Sequence, residues 1–484
     1  MKQTSVIGAA VASVASALRL CKSAVARLPP LSSNATPLRD FVRKTLKRLC
    51  SQEKKLMQRM VSALGLCIVL VLGAGAENID EALAMARRAN TTIAAATLSA
   101  EAAHSARVAS ERSRLPSLDV NGSWARLEHS PTLDMMTPAG RLQSPSIFKD
   151  NTIKIAGANI TLPLYTGGKL AGSIAASKAE SELADANAVR TDADIRLAVV
   201  GAYLEVLRAR AAVAVGRTRV DALQSHATTV QRLYEHEGVP KTDLLAVAVV
   251  LENARADALQ ASGSAQGAEE AYNELVGEPL ERAALLDEPT PLVNHDRGDL
   301  ALLTAEALEH RPELQALAAE REALLAAARA THADALPQIG LRAGWQHLET
   351  QILDRNDVAS IGLGFEWKVF DGGQTAARVS SLQLKSRAVA RLLDEAKVGI
   401  RREVNAALRA IAESQSRLEA GTHAVAASAE NLKLTLRLYQ TGLVTNTAVL
   451  EATSASAEAQ LRRDTAFYDT ARANYQLRHA LGRL

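Results

Sequence analysis

Apolar and polar positions alternate strictly in four short stretches of the chain. Leu118 and Val120 alternate with Asp119 and Asn121, and Ala158, Ile160, Leu162 and Leu164 with Asn159, Thr161 and Pro163. Ile339, Leu341, Ala343 and Trp345 alternate with Gly340, Arg342 and Gly344. Ile361, Leu363, Phe365, Trp367 and Val369 alternate with Gly362, Gly364, Glu366 and Lys368. A period of two with one apolar face predicts four strands. Elsewhere the period is helical, as in Ile195, Val199, Ala202 and Val206. No proline interrupts Lys169 to Glu237 or Gln374 to Thr441, which predicts two helices of about 67 residues, ~100 Å each. Helices that long need neighbours packed along them in coiled-coil fashion. A Gly-Gly pair leads from strand into each long helix, Gly167-Gly168 and Gly372-Gly373. A turn and a return helix to about Val276 or Leu481 follow each one. Opening helices are predicted at about Asn78–Ser113 and Pro312–Ala335, each stopping before a Leu-Pro pair.

These elements occur twice. At an offset of 205, Gly167-Gly168 falls on Gly372-Gly373, Arg232-Leu233-Tyr234 on Arg437-Leu438-Tyr439, and Gly277 on Gly482. At an offset of 221, Leu115-Pro116 with Trp124 falls on Leu336-Pro337 with Trp345. The first copy therefore has 16 extra residues between Trp124 and Leu164, read as a longer loop with Pro131, Pro138, Gly140 and Pro145. The duplication divides the chain into a first repeat, 77–277, a linker, 278–310, and a second repeat, 311–484. An opening and a return helix together match the length of a long helix, so the economical arrangement stacks them end to end beside it.

The strands are near the ~9–11 residues of a membrane-spanning strand. A soluble sheet with one buried face is the alternative for any single strand. Four strands cannot close a barrel in lipid, because open edges leave backbone groups unpaired. The expected fold is therefore mainly α with membrane β. Three chains would give a 12-stranded barrel and a coiled-coil helical barrel of twelve columns around a channel. Trp124, Trp345 and Trp367 are candidate markers of the membrane interface, with local packing as the alternative.

Composition adds a leader. Lys54, Lys55 and Arg59 precede an uncharged run from Met60 to Leu72 and then Ala74-Gly75-Ala76, which reads as a secretory signal over 57–76 cleaved after Ala76. Residues 1–56 read as a start assigned too early, or as an extra leader. The leader also carries the positive charge. Removing its 12 Lys/Arg and 2 Asp/Glu from totals of 56 and 53 leaves 44 basic and 51 acidic residues, a net of −7. The basic balance thus gives no reason to expect nucleic acid. Cys21, Cys50 and Cys67 all precede Glu77, so the remaining chain has no disulfide or thiol chemistry. The ten histidines lack metal-site spacing, and no catalytic constellation stands out, so neither an enzyme, a cofactor nor a metal is expected.

Leu162-Pro163-Leu164-Tyr165-Thr166-Gly167-Gly168-Lys169, its second copy Val369-Phe370-Asp371-Gly372-Gly373, and His310-Arg311-Pro312-Glu313-Leu314 resemble segments of the TolC family of outer-membrane efflux proteins. The resemblance runs from Asn78 to Leu484. It implies a passive homotrimeric duct of the Gram-negative outer membrane with a large periplasmic section. Such a duct takes substrate from an inner-membrane pump of RND or ABC type, through a periplasmic adaptor, in tripartite efflux or type I secretion. It further implies adaptor-docking tips at Val239, Pro240, Lys241 and Thr242 and at Gly442, Leu443, Val444 and Thr445, with Glu237 in the position of Gly442. Asp243 and Glu451 match acidic positions that narrow the periplasmic end, whereas Ala448 replaces another. A cap on the return helix for Asp243, and a solvated position for Glu451, are the alternatives. Ile361, Leu363, Phe365, Trp367 and Val369 would face lipid. A periplasmic coiled-coil adaptor or scaffold is the competing function; it needs the helices but not two pairs of one-sided strands.

Overall fold

A computed structural model describes residues 76–136, 138–148, 151–289, 299–350 and 355–484, which belong to one unit running from Ala76 to Leu484. The predicted leader lies outside these residues. The first repeat comprises α1 (Ile79–Ala89), α2 (Thr91–Arg112), β1 (Ser117–Arg126), a small hairpin of β2 (Met135–Met136) and β3 (Leu142–Gln143), β4 (Thr152–Tyr165), α3 (Lys169–Glu235) and α4 (Lys241–Val276). The second comprises α5 (Leu300–His310), α6 (Pro312–His332), β5 (Gln338–Leu348), β6 (Asp357–Glu366), α7 (Gln374–Gln440) and α8 (Asn446–Ala480). Both α3 and α7 are 67 residues long, as their sequences predict.

Two expectations are corrected. The opening helix over Asn78–Ser113 is broken, because Asn90 takes an extended ψ of 122° and its side chain accepts from the backbone N–H of Thr92 and Ile93. Its amide also donates to the Leu275 carbonyl at 3.0 Å, so the break lies where the return helix α4 ends. The stretch 278–310 is not all linker, since it ends in α5. Adding 221 to α1 (79–89) gives α5 (300–310), and adding 221 to its N-cap Asn78 gives Asp299, the N-cap of α5. Asn90 then corresponds to Arg311, which breaks α5 from α6 and donates to the His479 carbonyl near the end of α8. Pro312 opens α6 at a position where a proline loses no helical hydrogen bond.

The end-to-end stacking is present in both repeats. Helix α3 packs against α2 and α6 over one half of its length and against α4 and α8 over the other. Helix α7 packs against α6 and α8. The helices thus form four columns in the order α2 with α4, then α3, then α6 with α8, then α7. Helix α3 has neighbours on both flanks and buries 15 residues. Helix α7, of the same length, buries eight and has one bare flank. Small side chains allow the close approach: a Cβ on Gly172 of α3 would lie 2.6 Å from the Ala330 nitrogen of α6.

The sheet repeats the column order. It is antiparallel, β1-β4-β5-β6, and each strand continues the column whose helix adjoins it in sequence. Both sheet and helices therefore end on the same two open edges, β1 with α2 and β6 with α7. A bulge interrupts β4 between Pro163 and Tyr165. The pairing with β1 has already ended at Ser117 opposite Thr161, so the proline sits where β4 has one partner, as prolines in sheets require.

Candidate functional site

Cross-strand register sorts the sheet into two faces. Leu118, Ile160, Ala343 and Ile361 lie in one row, beside Val120, Ala158, Trp345 and Ala359 and beside Leu162, Leu341 and Leu363. The opposite face carries Asp119, Asn159, Gly344 and Ser360, with Asn121, Thr161, Arg342, Gln346 and Glu366 in the neighbouring rows. Among the described residues nothing covers the apolar face: Val120 is 79% exposed, Ile361 76% and Leu363 71%. All of β1 is exposed along both faces. A soluble sheet would bury the apolar face, and a patch of this size marks a contact surface. Aromatic residues lie toward both ends. From the Ile339–Phe365 pair to the Trp345–Ala359 pair is six residues along β5, ~20 Å at ~3.3 Å per residue. That approaches the ~25 Å apolar band of an outer-membrane barrel.

On the polar face, the Asn159 amide donates to Asn121 Oδ1 at 3.2 Å. Gly344 makes room for this pair, since a Cβ there would lie 2.6 Å from Asn159 Oδ1. The predicted lipid-facing strand is corrected at one end. Strand β6 stops at Glu366, opposite Gln338 where β5 begins, so Trp367 and Val369 are exposed beyond the last pair. Leu162, the first-repeat counterpart of Trp367, is still paired with Leu341 of β5, whereas Leu164, that of Val369, falls in the β4 bulge.

The Gly-Gly junctions hold left-handed backbone in both repeats, with φ of 62° and 91° at Gly167 and Gly168 and of 68° and 86° at Gly372 and Gly373. Such angles favour glycine over residues with a Cβ. Asp371 completes the second junction by accepting from the N–H of Gly373 and Thr375. The Thr375 hydrogen bonds hold its carboxyl below the usual carboxylate range.

The other end of the long helices carries the two hairpin tips. Gly442 (φ 74°) closes the second, with its N–H on the Tyr439 carbonyl and the Leu443 N–H on the Leu438 carbonyl. The same bonds run from Glu237 to Tyr234 and from Gly238 to Leu233 in the first, with Glu237 at φ 54°. Pro240, Lys241, Thr242, Leu443 and Thr445 are exposed, Leu443 by 73%. Val239 and Val444 instead pack partly buried against a cluster of Val230, Val247, Tyr439 and Val449 that both hairpins share. Asp243 is half-buried in the first turn of α4, whose N-cap Pro240 has no side-chain cap bond, and Glu451 is exposed.

Two polar constellations went unread in the sequence. At the tips, buried His226 lies 2.7 Å from Asn446 Oδ1. Its signal was a polar residue in the apolar stripe of Leu223 and Val230. At the junction of α1, α3 and α4, Glu77 is clasped. Its backbone bonds to Leu285 and Asp287, its carboxylate accepts from Tyr272 and Arg282, and its carbonyl from Tyr203 at 2.7 Å. Burial pushes both phenols upward, so they remain donors. Among the described residues, no group of three His, Cys, Asp or Glu side chains could hold a metal, and no helix is long and apolar enough to cross a membrane.

The profile of the outer membrane efflux proteins matches residues 82–278 and 303–483, one segment per repeat. Outer membrane protein TolC of Vibrio cholerae is 23% identical over 440 residues, 89% of this chain and 96% of that protein. Outer membrane efflux protein BepC of Brucella suis is 24% identical over 379 residues, 76% of this chain and 80% of that protein. Among solved structures, the outer membrane protein VceC of Vibrio cholerae superposes with a TM-score of 0.71 at 19% identity, covering 84% of this chain and 96% of that one. The CmeC outer membrane channel of Campylobacter jejuni superposes with a TM-score of 0.72 at 15% identity, covering 84% and 86%. With both repeats matched by one profile, the chain belongs to the outer membrane efflux protein family.

Proposed function

We propose that this chain is one of three identical subunits of a passive export duct. Three copies joined β6 to β1 give twelve antiparallel strands, and α7 joined to the α2–α4 column closes the helices at the same time. The carrying observation is that coincidence: an uncovered apolar sheet face, with sheet and helical columns open at the same two edges. The apolar face meets outer-membrane lipid, the polar face lines the channel, and the helices reach ~100 Å into the periplasm. Substrate enters from an inner-membrane pump, of RND or ABC type, through an adaptor at the two tips. Leu443, Lys241 and Thr242 offer the exposed side chains for that contact. Three copies each of Asp243 and Glu451 near the axis would form a negative ring that favours cations. The leader over 57–76 accounts for export. Family membership favours the duct over an adaptor, and a duct needs no catalytic group or cofactor.

The test is a gel of outer membranes and a susceptibility panel. A band at three times the subunit mass, lost only on boiling, and a deletion strain sensitised to at least one toxic compound are expected. A monomeric soluble periplasmic product would sink the duct.

A further inference from the structure

Four helices meet at His226. It belongs to α3, in the stripe of Leu223 and Val230, and is 4% exposed. Asn446, the first residue of α8, sets Oδ1 2.7 Å from His226 Nε2 and Nδ2 3.1 Å from the Asp243 carbonyl at the start of α4. Tyr439, at the end of α7, packs edge-on against the imidazole at 5.0 Å and 67°. Its hydroxyl is buried without a hydrogen-bond partner. The protonation state follows from these contacts. A carbonyl can only accept, so Asn446 must turn Nδ2 to Asp243 and Oδ1 to His226, and Nε2 must therefore carry the proton. The imidazole is neutral with the proton on Nε2, and the next proton goes to Nδ1.

We propose that His226 is a positioning residue that ties the second hairpin to the first at the inner end of the duct and loosens that tie in acid, widening the aperture. The inference rests on the duct reading. The tie crosses between repeats and has no copy: the 205 offset places Asn431 at the position of His226, and Lys241 at that of Asn446. It therefore acts at the tip end of the contact between α8 and α3, rather than by fixing the shape of each hairpin.

A second proton places a full charge in a joint that shares the apolar cluster of Val230, Val247 and Val449. Burying a charge is costly unless it is paired. The titratable groups facing His226 are Asp243 from α4 and Tyr439 from α7, while α8 presents the neutral Asn446. Burial holds His226 below the ordinary imidazole range, against the weaker pulls of Asn446 and Asp243. The sign follows. The closed joint binds the proton less readily than an open one in which the ring reaches water. Falling pH therefore favours the open joint, beginning below about pH 6.5. Carboxylate gating would titrate nearer pH 4.

The test is single-channel recording of the reconstituted full-length protein from about pH 7.5 to about pH 5.5. Each tenfold difference in proton affinity between the two states shifts opening by up to about tenfold. Open probability is expected to rise up to that much in the wild type and to stay flat in His226→Gln, which keeps a donor for Asn446. Asn446→Ala should be open across the range. A second measurement needs no variant: deuterium uptake at 223–230 and 446–453, corrected for intrinsic rates, should rise at the lower pH. A flat wild type, a pH response retained in His226→Gln, or unchanged uptake would overturn the proposal. No channel at any pH would overturn the duct reading, and this proposal with it.

Discussion

Glu237 and Gly442 close the same turn in the two hairpins, and both take left-handed backbone. A residue with a Cβ loses about 1 kcal/mol there relative to glycine. Glu237→Gly should therefore raise stability by roughly that amount, and Gly442→Ala should lower it by about as much. Thermal unfolding followed by helical circular dichroism in detergent measures both. Gly172 tests packing rather than backbone. A methyl there meets the backbone of Ala330, so Gly172→Ala should cost about 1–3 kcal/mol in the same assay, by forcing α3 and α6 apart. A variant as stable as the parent would mean that the columns yield at this contact.

At the scale of elements, the breaks in the opening helices let two short helices do the work of one long one. Asn90 caps α2 and holds the end of α4. Asn90→Ala removes all three side-chain bonds, to Thr92, Ile93 and Leu275, and should cost about 1–2 kcal/mol. Asn90→Ser keeps a cap without the reach to Leu275 and should recover part of the loss. Arg311 does the equivalent task differently in the second repeat. It is buried between Glu313 and Glu403 while it bonds the end of α8. The two copies share geometry and not chemistry, and they correspond at the offset of 221, not at the 205 that aligns the glycines.

For the whole molecule, the faces of the sheet make a parity test. Arg at a midplane lipid-facing position costs about 2–4 kcal/mol. Ile361→Arg should deplete heat-resistant trimers from the outer membrane. Ser360→Arg, one residue earlier and on the polar face, should leave them intact. Equal loss in both would place the barrel wall elsewhere.

The sequence by itself determined the elements and their duplication. Period-two runs, proline-free stretches and Gly-Gly pairs are local signals, and the lengths of α3 and α7 were legible to within two residues because each runs free of proline from a Gly-Gly pair to the glycine of its hairpin turn. It also made the exposed apolar face of the sheet legible through Ile361, Leu363 and Phe365. Helix α5 was missed because its own pattern is short, at 11 residues. Tertiary structure alone decided the order of the four columns, that Val239 and Val444 turn partly into the shared core, and that His226 meets Asn446 across 220 residues. Those choices depend on contacts between distant segments, whose free energy appears only when two surfaces meet. No period in a single helix can carry it.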